Sequence, residues 1–262
     1  MQKNYIIFII LYAMTFFNNA YAESKITVGA GLLISDIKGD IENFSGNYDF
    51  DKDLGYSKFN ASYFSLEARH DFEYIPDVYF DFFNSEELVS RILTKDIEVA
   101  DLEHSSGDKI SSSIKYNIFN ILLFDSLLIK GKANSKFLGK RSYPGDIEFR
   151  FGMAVKYIDW KYDIVNKTQY NNHSWIKVNE FIPLPYFGFR YYRYGFSLYG
   201  NLTAISFKDA KSFSAEGGAS YSFLKDIAVN IGYMYENFDV LEDHDMVYYQ
   251  INGVKIDFKY SF

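Results

Sequence analysis

The last nine residues of the chain constrain its fold more than any other stretch. Apolar and polar residues alternate there without interruption, and this is the period of a β-strand rather than of a helix. One face of the strand is apolar and ends on an aromatic residue: Val254, Ile256, Phe258, Tyr260 and Phe262. A terminal strand with such a face would be an aggregation-prone edge in water. The pattern is explained if the apolar face contacts lipid while Lys255, Asp257 and Lys259 face a polar interior.

The first residues have the pattern of a removable export signal. Lys3 precedes an apolar run over residues 5–17, and Ala20-Tyr21-Ala22 has the small-x-small form of a cleavage site. The run is too short for a membrane-spanning helix, and no later stretch reaches the roughly 20 apolar residues that such a helix needs. We therefore predict a signal peptide over residues 1–22 and one domain over residues 23–262.

The composition favours a membrane β-barrel over a soluble core. The chain contains 24 Tyr and 26 Phe but only 2 Trp, and its mean hydropathy is −0.17. High aromatic content combined with alternating rather than continuous hydrophobicity is typical of outer-membrane barrels. The absence of cysteine excludes a disulfide scaffold, thiolate metal sites and cysteine nucleophiles. A net charge of −7 without a basic block argues against nucleic-acid binding.

Alternating segments of about ten residues recur along the chain, which is the length of a tilted spanning strand. They predict an antiparallel, up-and-down transmembrane barrel of about ten strands in a Gram-negative outer membrane. Twelve strands remain open if residues 121–145 hold another hairpin, and eight if the weak strand at residues 78–83 fails. The clearest strand covers residues 147–157. Its pattern changes phase near Asp159-Trp160, which predicts a bulge with the indole at the membrane rim.

The predicted strand phases direct a set of charged side chains into the barrel. Its members are Glu67, Arg69, Lys115, Glu148, Arg150, Lys156, Arg190, Glu216, Lys255, Asp257 and Lys259. Charges of both signs in a narrow lumen favour a salt-bridged plug, because open aqueous channels appear in barrels of about 16 strands. We therefore predict a structural or surface-interaction protein that acts through its external loops. A narrow, porin-like channel for small solutes is the alternative.

The histidines offer little for catalysis or metal binding. His70 with a serine from a neighbouring strand could support a lipid-modifying hydrolase, but an interfacial histidine beside the Pro76 turn is the preferred interpretation. His244 lies in an acidic stretch, and a solvated loop is favoured there over a cation site. We expect no enzyme activity, no cofactor and no bound metal.

The C-terminal half of the chain resembles a family of small proteobacterial outer-membrane β-barrel proteins known chiefly as genome products. The resemblance depends on residues 152–164, which begin Gly-Met-Ala-Val-Lys-Tyr-Ile-Asp-Trp, on the hairpin of residues 215–235, and on residues 241–262. It implies an outer-membrane barrel and no particular reaction.

The end of the chain also resembles the recognition signal for the barrel assembly machinery. That signal is a terminal aromatic residue preceded by apolar residues at alternate positions, here Ile256, Phe258, Tyr260 and Phe262. Its physical role would be strand pairing with the assembly protein before the barrel closes. The expected partners are this machinery, outer-membrane lipid and lipopolysaccharide, and extracellular molecules contacted by the loops. We expect a monomer rather than an oligomer.

Overall fold

The computed structural model describes residues 25–43, 45–70, 74–100, 102–131, 136–137, 140–141, 145–169, 173–206, 210–242 and 245–262. Ten long strands form one closed antiparallel barrel. They are β1 (Lys25–Asn43), β2 (Lys58–Arg69), β3 (Asp77–Ile92), β4 (Lys109–Ile129), β5 (Asp146–Asn166), β6 (His173–Arg193), β7 (Phe196–Ser206), β8 (Ala210–Ser222), β9 (Ile227–Glu242) and β10 (Asp245–Ser261). The predicted signal peptide lies outside the described residues.

Each strand pairs with its neighbours in sequence, and β10 closes the barrel against β1. That last pairing extends from Thr27 opposite Ser261 to Glu42 opposite Met246. The predicted all-β barrel of ten strands is therefore confirmed. Residues 121–129 continue β4, so this stretch adds no strands to the barrel. Among the described residues between β4 and β5, Lys136–Phe137 pairs with Lys140–Arg141 in a small separate sheet.

The two ends of the barrel differ in their connections. At the end we call lower, residues 194–195 and 223–226 make short links, and the chain enters β1 and leaves β10. At the upper end, short strands elaborate the longer connections. Gly46–Asp49 pairs with the top of β1, and Ile97–Val99 pairs with Leu102–His104. Among the described residues no helix is long and apolar enough to span a bilayer.

The strands are longer than a membrane requires, and the chemistry of their two faces inverts along their length. In β5, Glu148, Arg150 and Lys156 are buried inside the barrel, whereas the alternate residues are apolar and half-buried or exposed. Further up the same strand the inward residues become Ile158, Trp160, Tyr162 and Ile164, all buried.

No bulge accompanies this inversion. β5 keeps an unbroken register with β4 and β6 from Ile147 to Val165. The predicted bulge is therefore wrong: the surroundings of the strand change while its geometry does not. Trp160, predicted at the rim, is only 1% exposed and points inward.

The interior of the upper half is an aromatic and aliphatic core. Its largest buried side chains come from several strands and from the first upper connection: Phe50, Tyr56, Phe59, Tyr116, Trp160, Tyr162, Phe238 and Tyr249. Ring centroids lie 5.1 Å apart for Tyr116 and Tyr249, and 6.4 Å apart for Phe50 and Trp160. The upper half thus packs like a soluble protein, with its apolar side chains inside.

A row of outward aromatic residues marks the level of the inversion. The row, which we call the aromatic girdle, crosses five strands at neighbouring register positions: Phe64, Phe82, Phe119, Tyr157 and Phe181. Ring centroids lie 4.4 Å apart for Phe82 and Phe119, and 4.5 Å apart for Tyr157 and Phe181. From Ile147 to Tyr157 the outward face of β5 covers about 26 Å of height at the usual strand rise and tilt. This matches the apolar band of about 25 Å in membrane barrels.

One strand edge is left open from just below the girdle to the upper end of β6. β7 ends at Ser206 and pairs with β6 only between Tyr186 and Arg193. Within the described part of the chain, His173–Pro185 therefore has a paired neighbour on one side only. Pro183 and Pro185, which have no N–H to donate, lie in this edge, as is usual for proline in sheets.

Candidate functional site: the barrel interior

The lower interior holds a cluster of five charged residues from three strands. Arg150 lies at its centre, 2% exposed, with Nη2 2.9 Å from Glu67 and Nε 2.8 Å from Glu148. Arg69 Nη2 lies 2.5 Å from Glu148, and Arg190 Nη2 lies 3.3 Å from Glu67. Glu67 with Arg69, and Glu148 with Arg150, are two residues apart on one strand, which places each pair on the same face. Each carboxylate is thus shared between arginines.

A second group of ion pairs lies beside the first and higher in the barrel. Lys255 forms an ion pair with Glu216, and its Nζ lies 4.4 Å from the ring centre of Tyr63. Lys156 lies 3.0 Å from Glu236, with both side chains 2% exposed.

Around the last strand, hydrogen bonds extend the same network. Asn230 donates a hydrogen bond of 2.9 Å to Asp257, and Lys259 lies 4.0 Å from the same carboxylate. Tyr199 donates one of 2.9 Å to Glu216. Buried charges of both signs are therefore held against each other, as charges out of water must be.

The structure places ten of the eleven predicted residues in the interior. These ten form what we call the interior charge network: Glu67, Arg69, Glu148, Arg150, Lys156, Arg190, Glu216, Lys255, Asp257 and Lys259. Lys115 does not join them. It is exposed on the outer face of β4, because its neighbours Ile114 and Tyr116 face the upper core. Its predicted inward position is therefore wrong.

Two buried acids beside the interior charge network were missed by the sequence reasoning. Glu236 pairs with Lys156 and accepts a hydrogen bond of 3.1 Å from Tyr116. Asp81 accepts one of 2.6 Å from Asn120. Both lie on inward positions that follow from the alternation: Glu236 comes two residues after the inward Met234. Asp81 lies within the strand predicted over residues 78–83, between the outward Phe80 and Phe82, and Glu236 would have been found by extending its strand by one residue.

Two cavities border the network. An inner cavity of about 70 Å³ is lined by Asp81, Asn120, Arg150, Lys156 and Lys255, among others. This volume holds only a few water molecules. A wider vestibule of about 470 Å³ lies at the lower end, where Arg69, Arg190 and Lys259 contribute to its wall.

A buried Ser–His pair lies in the upper half. His104 is 0% exposed, and its Nε2 lies 3.1 Å from Ser174 Oγ. Burial lowers the pKa of His104, and nearby Asp108 opposes that effect. Both members of the pair are buried, so neither faces a surface that a substrate could reach.

The other histidines lie in ordinary structural positions. His70 Nε2 lies 3.1 Å from the Pro76 carbonyl oxygen, and His173 lies 2.8 Å from Asp163. His244 is outside the described residues. In the part of the chain that the structure covers, no group of three or more acidic or histidine side chains is arranged to hold a metal ion.

Comparison with known proteins gives similarity in architecture alone. No family model matches the chain, and no curated protein matches it. Among solved structures, the translocator domain of autotransporter NalP from Neisseria meningitidis is 10% identical over 98% of this chain and 95% of its own, with a TM-score of 0.46. The outer membrane protease OmpT from Escherichia coli is 10% identical over 90% of this chain and 97% of its own, with a TM-score of 0.45. Ail, the attachment invasion locus protein of Yersinia pestis, is 12% identical over 90% of this chain and 99% of its own, with a TM-score of 0.31.

Proposed function

We propose that the chain is an integral outer-membrane barrel of a Gram-negative envelope, with a closed interior and a structural or surface-interaction role. The inversion of the two faces at the aromatic girdle carries this proposal. Below the girdle the outward residues are apolar and the interior is charged, as expected in lipid. Above it the apolar residues are inside and the outward ones polar, as expected in water. We also propose membership of the small proteobacterial barrel family that the C-terminal half resembles.

Two successive barriers support a closed interior. In the lower half, a passing ion would have to displace side chains of the interior charge network, where Arg150 lies 2.9 Å from Glu67 and 2.8 Å from Glu148. In the upper half it would have to cross a core that contains Tyr116, Trp160 and Tyr249, each no more than 2% exposed. The rings and aliphatic side chains of this core cannot replace the water shell of an ion, so entry would be strongly unfavourable.

The upper half supports a role at the cell surface. Its connections pack on each other: Lys95 pairs with Asp53 at 2.8 Å, and the Glu98 N–H donates a hydrogen bond of 3.0 Å to Tyr48 Oη. Ile97 and Val99 are buried in the same core. The protein thus presents a rigid β-structure above the membrane, and this surface is where extracellular molecules would bind.

Two measurements test the proposal. The first is fractionation of cells that express the chain, followed by electrophoresis with and without heating; we expect the protein in the outer membrane, with heat-dependent mobility. The second is planar-bilayer recording of the refolded protein, with a 16-stranded porin as the positive control. We expect no steady conductance. Ion-selective conductance in steady steps would contradict the closed interior and favour the narrow channel.

A further inference from the structure

Three lysines lie side by side on the outer face of the barrel. Lys115 on β4 is in register with Lys161 on β5, and Lys161 is in register with Lys177 on β6. All three point away from the interior, and the side chains of Lys161 and Lys177 are 38% and 43% exposed. We call this set the lysine row. It is unusual in a chain whose net charge is −7.

The lysine row lies just above the proposed membrane boundary. Lys161 comes four residues after Tyr157 of the aromatic girdle, which is about 13 Å along the strand and about 10 Å in height at a tilt near 40°. One row of polar side chains, including Asn117 and Asp159, lies between them. Long lysine side chains can bend toward the membrane and bring their ammonium groups into the headgroup layer. The row therefore lies at the height of the headgroups.

The acids nearby leave the row only partly neutralised. Lys161 lies 2.5 Å from Asp163, and Lys177 is 3.8 Å from Asp159. Lys115 is in register with Glu86 on β3, but among the described residues it has no ion pair within 4.0 Å. Adjacent strands are about 4.8 Å apart, and like charges placed directly opposite each other are destabilising. An anion with several oxygens would relieve this repulsion by contacting two lysines at once.

We propose that the lysine row binds the phosphate groups of lipopolysaccharide in the outer leaflet. The inference depends on the proposed function, which places the girdle at the outer membrane surface. The row is continuous with the lipid-facing surface, because Phe181 on the same face of β6 is 70% exposed. Beside the lysines, Trp175 is 52% exposed, and Lys161 Nζ lies 5.9 Å from its ring. Trp175 lies two residues further from the membrane than Lys177 on the same face of β6, so its ring is close enough to report on binding at the row.

The two tryptophans make a local reporter available. Trp160 is buried inside the barrel and Trp175 is exposed beside the row, so Trp160→Phe leaves a fluorophore at the site. This protein, inserted in phosphatidylcholine nanodiscs, is titrated with phosphorylated lipid A or with lipid A from which the phosphates have been removed. Native mass spectrometry of unaltered protein counts the lipid A that it retains. We expect about tenfold tighter binding of the phosphorylated form, the effect of one or two charge-assisted contacts.

Matched variants separate this site from general attraction of anions. In Lys115→Gln/Lys161→Gln/Lys177→Gln the preference for phosphate should disappear. The control Lys38→Gln/Lys167→Gln/Lys211→Gln changes the net charge equally at exposed lysines outside the row and should keep it. The proposal would be overturned if the unaltered chain bound both lipids equally. It would also be overturned if the control variant lost the preference for phosphorylated lipid A as fully as the row variant does. A chain that inserts without this preference contradicts the lysine row alone, whereas one that never inserts contradicts the proposed function as well.

Discussion

A single lysine moved along one face of β5 tests where the membrane ends. Met153 points outward, is 52% exposed, and lies near the middle of the apolar stretch from Ile147 to Tyr157. Val165 is on the same face of the same strand, twelve residues further, in the part that we place in water. The two changes to compare are Met153→Lys and Val165→Lys.

The expected difference in stability between the two variants follows from the depth of each lysine in the bilayer. A lysine on the lipid face at the middle of the bilayer costs about 2–4 kcal/mol, and the cost falls to about 0–1 kcal/mol near the interface. Met153 lies four residues below Tyr157, so its side chain is about 13 Å along the strand, or about 10 Å in height, under the aromatic girdle. We therefore expect Met153→Lys to lower the free energy of unfolding by about 2–4 kcal/mol and Val165→Lys by less than about 1 kcal/mol.

The assay is equilibrium unfolding by guanidinium of the protein refolded in phospholipid vesicles, followed by fluorescence. Unaltered slopes with shifted midpoints would show that stability, and not the extent of unfolding, has changed. Met153→Ala serves as the control for loss of the side chain without introduction of a charge. Equal costs for the two lysines, or a larger cost at Val165, would refute the assignment of lipid and water to the two halves.

Other predictions follow from the interior, the upper core and the chain end. Lys156→Met should lower the free energy of unfolding by about 3–5 kcal/mol, because it leaves Glu236 buried and unpaired. The double variant Lys156→Met/Glu236→Leu should recover most of that loss, and chemical unfolding measures both. Trp160→Ala should cost about 3–5 kcal/mol in the same measurement, and a cost below about 1 kcal/mol would indicate an indole at the rim instead of in the core. Burial lowers the pKa of His104 below its ordinary value of 6.5, because the folded protein disfavours the protonated ring. The fold therefore has its full stability above pH 6.5, where this histidine is neutral. Stability should therefore fall as the pH drops below 6.5, less steeply in His104→Gln; identical pH profiles would contradict this. Phe262→Ser should slow assembly in cells, measured as the fraction of heat-modifiable protein, while refolding in vitro is unchanged; normal assembly would exclude the terminal signal.

The sequence predicted the lower half of the barrel well, because two requirements agree there. Lipid outside and charge inside impose one alternation, and in β5 it is clear enough to place Glu148 and Arg150 correctly. In β4 the phase is hidden, since Ile121, Leu122, Leu123 and Phe124 are all apolar although only Leu122 and Phe124 are buried. Without a phase to extend upward, the Ile114 side of the strand was expected to face lipid and Lys115 the interior.

The upper half shows why alternation alone could not decide this. A period of two identifies an apolar face but not whether lipid or a protein core covers it. The deciding observation is continuity: in β5 the outward positions pass from Val155 and Tyr157 to Asp159 and Lys161 without a change of register. A change in chemistry within one unbroken strand must therefore reflect a change of surroundings, and its height in the fold gives the boundary.

The two layers of the interior also have a physical reason to differ. Below the girdle, an apolar interior would make every strand apolar on both faces, and such a chain would aggregate before reaching a membrane. Paired charges such as Arg150 with Glu67 keep one face polar in the unfolded chain and neutralise each other once the barrel closes. Above the girdle, water covers the outside, so the apolar side chains must lie inside to drive folding. The long strands of one barrel thus carry two opposite cores, and the aromatic girdle is the level at which one replaces the other.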